Sequence, residues 1–252
     1  MKSTIALAFA MSLTVLGCQD TLNDVSSNPE AATAAFESGY GDGEAVYQVR
    51  IRNVTTGQPF TPPLAVTHSA NADLFTVGGK SSFGLKEIAE NGNLDPLVAE
   101  LSASPEVGDL VVAVASVIPP LLAGDELTFE ITSAPGKRYF SFAAMLICTN
   151  DGFTGIDSYP LPRQVGEEIV FGTNGYDGGT EINTEDFADI VPPCQALVGV
   201  MSDDPGTGVS NPALAENGSI RHHAGVEGGV DLVPSIHGWN DPVSKVRIRR
   251  IR

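Results

Sequence analysis

The 252-residue chain has 3 cysteines, 1 tryptophan and 14 lysines plus arginines against 31 aspartates plus glutamates. It also lacks any apolar run near the roughly 20 residues that a bilayer-spanning helix needs. So few cysteines exclude a small disulfide-stapled scaffold, and none falls in the C-x-x-C spacing that holds structural zinc. The shortage of basic residues leaves a formal charge of −17. Such a surface repels phosphate backbones, which argues against nucleic-acid partners and makes multivalent cations natural counterions. There is no G-x-S-x-G elbow, no G-x-x-x-x-G-K-[ST] phosphate loop and no H-E-x-x-H zinc motif. A carboxylate pair for glycoside hydrolysis is defined by its separation in three dimensions, and nothing in the sequence singles one out. What is plentiful is glycine and proline, 27 and 17 residues, which favours many turns and short strands over long helices.

Residues 1–17 read as a secretory signal, with Lys2 followed by an uncharged apolar run from Thr4 to Leu16. The run ends in Val15-Leu16-Gly17-Cys18, which is similar to the bacterial lipobox. Cys18 is therefore expected to be acylated and to anchor the chain in a lipid bilayer. Gln19 stands where an inner-membrane retention signal would place Asp, so the expected location is the cell envelope and, in a Gram-negative cell, the outer membrane. Residues 18–44 show neither a period of two nor one of 3.6 and are rich in small, polar and acidic side chains. They read as a flexible tether that could reach roughly 90 Å when stretched.

From residue 45 to 252 no composition break divides the chain, and one all-β domain is expected. Tyr47 to Arg52, Leu127 to Ile131 and Lys245 to Arg249 alternate apolar with polar residues, the period of strands with one wet face. Tyr139 to Ile147 is almost continuously apolar, as in a strand buried on both faces. The wet faces of the first and last strands are basic. Like charges on adjacent strands repel, so Glu126 or Glu130 is expected opposite Arg50 or Arg247, with a basic binding patch as the alternative. Two short helices are predicted. Ser82 caps a turn through Leu85, Ile88 and Ala89 that ends at Asn91-Gly92, and Asp95-Pro96 opens a second that runs through Leu101. The apolar stretch from Leu110 to Leu122, broken at Pro119-Pro120, reads as a core strand or loop pair.

Two polar, glycine-rich segments gather carboxylates. One runs from Thr149 to Asp157 directly after the buried strand, and the other from Gly175 to Asn183. Ca²⁺ takes six to eight oxygens from carboxylates, carbonyls and water, and converging acids in glycine loops suit it, although the EF-hand spacing is absent. The alternative is ordinary solvated turns that use Asp and Gly for their backbone preferences. With Cys18 lipidated, Cys148 and Cys194 remain as an even pair and are expected to form a disulfide, two separate buried thiols being the alternative.

At these residues the chain resembles the spondin-domain family, the N-terminal module of F-spondin and mindin. The resemblance is carried by Phe60-Thr61-Pro62-Pro63-Leu64-Ala65-Val66-Thr67-His68 with Leu74-Phe75, then Gly84-Leu85 with Ala89-Glu90-Asn91-Gly92. Asn150-Asp151-Gly152-Phe153-Thr154-Gly155 and Tyr176-Asp177-Gly178-Gly179-Thr180-Glu181 follow in order. It implies a C2-like antiparallel β-sandwich with one or two short helices that binds calcium on its loops, serves adhesion or matrix recognition and has no catalytic activity. Carried over, the metal ligands would be Asp151, Asp177 and Glu181, with Asn150 as an additional oxygen donor. Glu181 stands where animal members usually have Asp, and Gly152-Phe153 stand where a tryptophan is common, so animal partners are not transferred.

The segment after Cys194 departs from animal members. His222, His223, Asp231 and His237 there could form a transition-metal site, and the alternative is a glycine-rich edge with a His-Gly-Trp cluster packed on it. Together these readings predict an envelope lipoprotein whose calcium-binding domain recognises a macromolecule or glycan of unknown identity. A metal- or carboxylate-dependent envelope hydrolase near His222, Asp231 and His237, and a purely structural envelope lipoprotein, are the alternatives.

Overall fold

A computed structural model describes residues 43–114 and 120–252. The signal segment, the lipobox at Cys18, nearly all of the tether and Pro119 lie outside the described residues. Among the described residues no helix is long and apolar enough to cross a membrane.

Two antiparallel sheets carry the domain. The first has four strands: β1 (Ala45–Asn53), β4 (Glu126–Ser133), β7 (Glu168–Thr173) and β10 (Ser244–Arg250), in the order β4-β1-β10-β7. The second has six: β2 (Leu64–His68), β3 (Val107–Val112), β5 (Tyr139–Met145), β6 (Gly152–Pro160), β8 (Gly175–Asp177) and β9 (Arg221–His222), in the order β3-β2-β5-β6-β8-β9. The alternation read from the first, third and last of the predicted strands is realised. Tyr47, Val49 and Ile51 of β1 are buried and pair with Ile131, Phe129 and Leu127 on one side and with Arg250, Ile248 and Val246 on the other. Their sequence neighbours Arg50 and Arg52 face solvent.

The predicted two-sided burial of the central strand has a clear cause. Phe140, Phe142 and Ala144 of β5 join the core shared with the four-stranded sheet, whereas Ala143 and Met145 turn to a second core with helices α1 (Phe83–Asn91) and α2 (Asp95–Ser102). A strand with a layer on each face has no wet side to alternate with. The helices contribute Leu85, Ile88, Ala89, Leu97 and Leu101 to that second core. Their predicted ends hold: Ser82 accepts from the Leu85 N–H at 3.2 Å, Gly92 ends α1 in the left-handed region at φ 65°, and Pro96 lies in the first turn of α2. Two further short helices, α3 (Pro193–Val198) and α4 (Pro234–His237), follow.

Three expectations are corrected. Of the segment expected as a core strand or loop pair, the described part of Leu110 to Leu122 is not a core strand: β3 ends at Val112 and is only partly buried, because it is an edge strand with β2 on one side, and Ala113 and Leu121 reach the core outside it. The first polar segment is not a loop through Asp157 but a turn to Asp151 followed by β6, since Gly152 to Thr154 pair with β8 and Phe153 to Ile156 pair with β5. The acids of β4 stand beside the basic strand but one step from the expected register. Glu126 faces Arg52, Glu130 faces Gln48, and Arg50 lies between Thr128 and Arg247.

Cys148 and Cys194 form a disulfide that ties the turn after β5 to α3. Buried Gln58 braces the same turn by accepting from the Cys148 N–H at 2.9 Å and donating to the Cys148 carbonyl at 2.9 Å and the His237 carbonyl at 3.0 Å. The cysteines are 46 residues apart. On chain entropy alone, closing such a loop contributes about 4 kcal/mol. A Cys148→Ala plus Cys194→Ala variant should therefore lose about that amount in chemical denaturation; an unchanged midpoint would show that the bond carries no stability. The two helices give a second test. A Cβ on Gly84 would lie 2.8 Å from Leu97 Cα and Cβ and 2.9 Å from its amide nitrogen, so α1 and α2 approach through that glycine. Gly84→Ala should cost roughly 1–3 kcal/mol by pushing the helices apart, while Gly124→Ala, where no atom lies within 4 Å but φ is +87°, reports backbone strain alone.

Candidate functional site

Pairing of β6 with β8 sets Gly152 opposite Asp177, and the Gly178 N–H donates to the Asp151 carbonyl at 3.0 Å. Asp151 and Asp177 thus come together because neighbouring strands end in register. Gly178 and Gly179 then turn the chain back over Asp151. The backbone N–H groups of Thr180 and Glu181 donate to Asp151 Oδ2 at 2.7 and 3.0 Å, and the Thr180 hydroxyl adds a third bond at 3.2 Å. Gly179 has φ +67°, and a Cβ there would strike the backbone of Gly218 and Ser219 at 2.7–2.8 Å, so the turn needs glycine for both conformation and space.

Asp151 has no solvent exposure, and its other oxygen, Oδ1, has no hydrogen-bond partner among the described residues. Burial and the nearby Asp177 charge raise its pKa to about 6 against the opposing pull of the Thr180 and Glu181 donors. Glu181 is also buried, and its pKa is raised to about 7, first by desolvation and then by the charges of Glu90, Asp151 and Asp189, against a 3.0 Å bond from the Asn211 N–H to Oε1. Asp177 differs. Its Oδ1 accepts from the Gly179 N–H at 2.8 Å, and its Oδ2 accepts from Asn183 at 2.9 Å and from the Arg221 guanidinium at 2.9 Å. One of the three sequence-predicted ligands therefore already has a cation, while the other two share an uncompensated pocket of negative charge.

Asn150 sits beside them but uses its oxygen elsewhere, accepting from the Thr184 and Glu185 N–H groups at 3.1 and 3.3 Å. It shapes the loop after Glu181. Glu90, in sequence only one member of the Ala89-Glu90-Asn91-Gly92 motif, is buried on the inner side of α1 beside Ile88 and Ala89. Lys86 Nζ forms an ion pair with its Oε2 at 3.1 Å, and neither oxygen has a hydrogen-bond partner among the described residues. The available signal was a charged residue on the apolar stripe of a short helix. Arg221 was also missed; it was visible only as an isolated cation beside His222 and His223.

The carboxylates of Asp151, Asp177 and Glu181 do not form a set of ligand atoms all within 4.8 Å of one another, whereas those of Asp186, Asp204 and Asp231 do. In this second group Asp186 accepts from the Ala188 N–H at 2.8 Å and Asp231 from the Phe187 N–H at 2.9 Å, so part of its charge is spent on backbone amides. Asp204 is exposed. The histidines disperse. His222 packs on Tyr176 and His223 on Trp239, while His237 lies against Phe187 with the Val233 N–H donating to its Nδ1 at 2.8 Å. His237 comes within 4.8 Å of Cys148 and Cys194, but those sulfurs are joined in the disulfide and are not thiolate ligands. The grouping of His222, Asp231 and His237 considered for a transition metal is not among the ligand clusters of the described residues, because Asp231 turns toward Asp186 and Asp204.

An oxygen-only donor set with an orphaned buried carboxylate oxygen fits a hard cation such as Ca²⁺ better than a soft one. No curated protein sequence matches the chain significantly. The Spondin_N family model matches residues 52–186, from β1 through the candidate site. That match spans more than half of the sequence and contains Glu90, Asp151, Asp177 and Glu181, and on it the chain belongs to the Spondin_N family.

Proposed function

We propose that this is a calcium-binding recognition domain of C2-like sandwich type, carried on an envelope lipoprotein anchored through acylated Cys18, with a macromolecule or glycan as its partner. The observation that carries the calcium reading is Asp151 Oδ1, a fully buried carboxylate oxygen without a hydrogen-bond donor among the described residues, beside a second buried carboxylate at Glu181. An anion so placed is costly unless a proton or a cation meets it. Asp151 and Glu181 would hold the ion, Asp177 would remain with Arg221, and Glu90 would add charge from the helix side. The ion would clamp the turn after β5 to the loop after β8 and stiffen the surface these segments present.

Titration of the full chain with calcium by calorimetry tests this. Binding should be lost in Asp151→Asn plus Glu181→Gln and retained in Asp204→Asn plus Asp231→Asn. The opposite pattern would move the ion to the second acidic group, and no heat at millimolar calcium would overturn the calcium reading.

The raised pKa values supply a pH test. Asp151 at about 6 and Glu181 at about 7 stand above their ordinary values, so between roughly pH 4 and pH 7 the metal-free native state binds more protons than the unfolded chain and loses stability as pH rises. In chelator the melting temperature should fall by a few degrees between about pH 5 and about pH 7.5. Calcium should restore it at the higher pH and do little at the lower. A calcium effect independent of pH would exclude these two carboxylates as the ligands.

A further inference from the structure

The four-stranded sheet has an outer face that the cation site does not explain. Its two central strands, β1 and β10, carry Arg50, Arg52, Lys245, Arg247 and Arg249 on one exposed side, five of the 14 basic residues of a chain with net charge −17. They are not spaced to avoid one another. Arg50 stands directly opposite Arg247, and Arg52 directly opposite Lys245. Directly opposed like charges destabilise a sheet, and the surroundings offset little of it. Arg247 meets Glu168 at 2.8 Å and Arg50 donates to Gln48 at 3.3 Å, whereas Arg52, Lys245 and Arg249 make no ion pair among the described residues.

The flanks reverse sign. On the β4 side Glu126 and Glu130 stand in register beside Arg52 and Gln48, and on the β7 side Glu168 stands beside Arg249. The cations therefore form a strip two strands wide, with rows about 5 Å apart and side chains about 7 Å apart along each row. Acids border it on both edges. Such a strip selects for shape as well as charge. A planar anionic bilayer laid on the sheet would also meet Glu126, Glu130 and Glu168, and a nucleic-acid duplex would extend over both rims. A single extended chain with anionic groups at regular intervals can lie along the strip and touch only cations.

We propose that this face binds a linear acidic polysaccharide through its carboxylates, the basic pairs across β1 and β10 meeting successive anionic groups. The proposal deepens the recognition part of the function above and rests on it only for the class of partner, because the strip lies on the opposite sheet from the loops around Asp151.

The test uses the full chain, a labelled hyaluronate oligosaccharide as probe, and anisotropy in low salt. Binding should appear in chelator as well as in calcium, weaken as salt is raised, and be absent for neutral dextran. Arg52→Gln plus Lys245→Gln plus Arg249→Gln should weaken it about tenfold or more, a loss of about 1.4 kcal/mol at least. Asp151→Asn plus Glu181→Gln should leave it unchanged. Should the triple variant not fold, Glu126→Gln plus Glu168→Gln carries the test, since removing the acidic rims should tighten binding severalfold. No binding of hyaluronate, wild-type affinity in the triple variant or in the rim variant, or tighter association with phosphatidylglycerol vesicles than with hyaluronate would overturn the proposal. Binding that vanishes in chelator would also overturn it and would assign recognition to the calcium-dependent loops instead.

Discussion

A carboxylate cannot be carried into a protein interior without something to meet its charge, and the arrangement around Asp151 is one answer to that constraint. The strand pairing that buries the residue also sets Asp177 beside it, so the same hydrogen-bond ladder that builds the sheet brings two negative charges together. Three donors from Thr180 and Glu181 satisfy one oxygen of Asp151, and Arg221 reaches across from the edge strand β9 to Asp177. What these donors leave over is Asp151 Oδ1 and the buried carboxylate of Glu181, with Glu90 already paired to Lys86, a surplus of negative charge in a small volume. Glycines at 178 and 179 let the backbone close over that volume, and the disulfide and Gln58 hold the turn that enters it.

Much of the fold was legible because its signals are local. Alternation in β1, β4 and β10 needs only one buried and one wet face, and the ends of α1 and α2 are written in Ser82, Gly92 and Pro96. The two-sided burial of β5 was also readable from its unbroken apolar run. The limits of the six-stranded sheet were less so. Thr149 to Asp157 has the composition of a loop, yet it becomes the start of a strand because β5 and β8 lie on either side of it. That is a tertiary circumstance with no local mark, and the exact register of Glu126 and Glu130 against the basic strand is another.

The candidate site divides in the same way. Motif matching placed Asp151, Asp177 and Glu181 in one region, and the strand register explains why they meet. It could not tell that Asp177 would be neutralised by Arg221, a residue 44 positions away, or that Asn150 would turn its oxygen to the Thr184 and Glu185 amides. Glu90 shows the converse, an acid that becomes relevant only because α1 packs its inner face against the sheet that carries the site. A buried charge is a property of the assembled layers, and composition reports it only as one acid among 31.

The adjacency of β1 and β10 has a consequence for how the domain is made. These strands are hydrogen-bonded from Tyr47↔Arg250 to Asn53↔Ser244, so the centre of one sheet joins segments at opposite ends of the domain sequence. As residue 53 leaves the ribosome its principal partner has not been synthesised, and β1 can pair only with β4 until residues 244–250 follow. The four-stranded sheet is thus closed late, by a contact of very long sequence separation, and such non-local pairing is intrinsically slow to form.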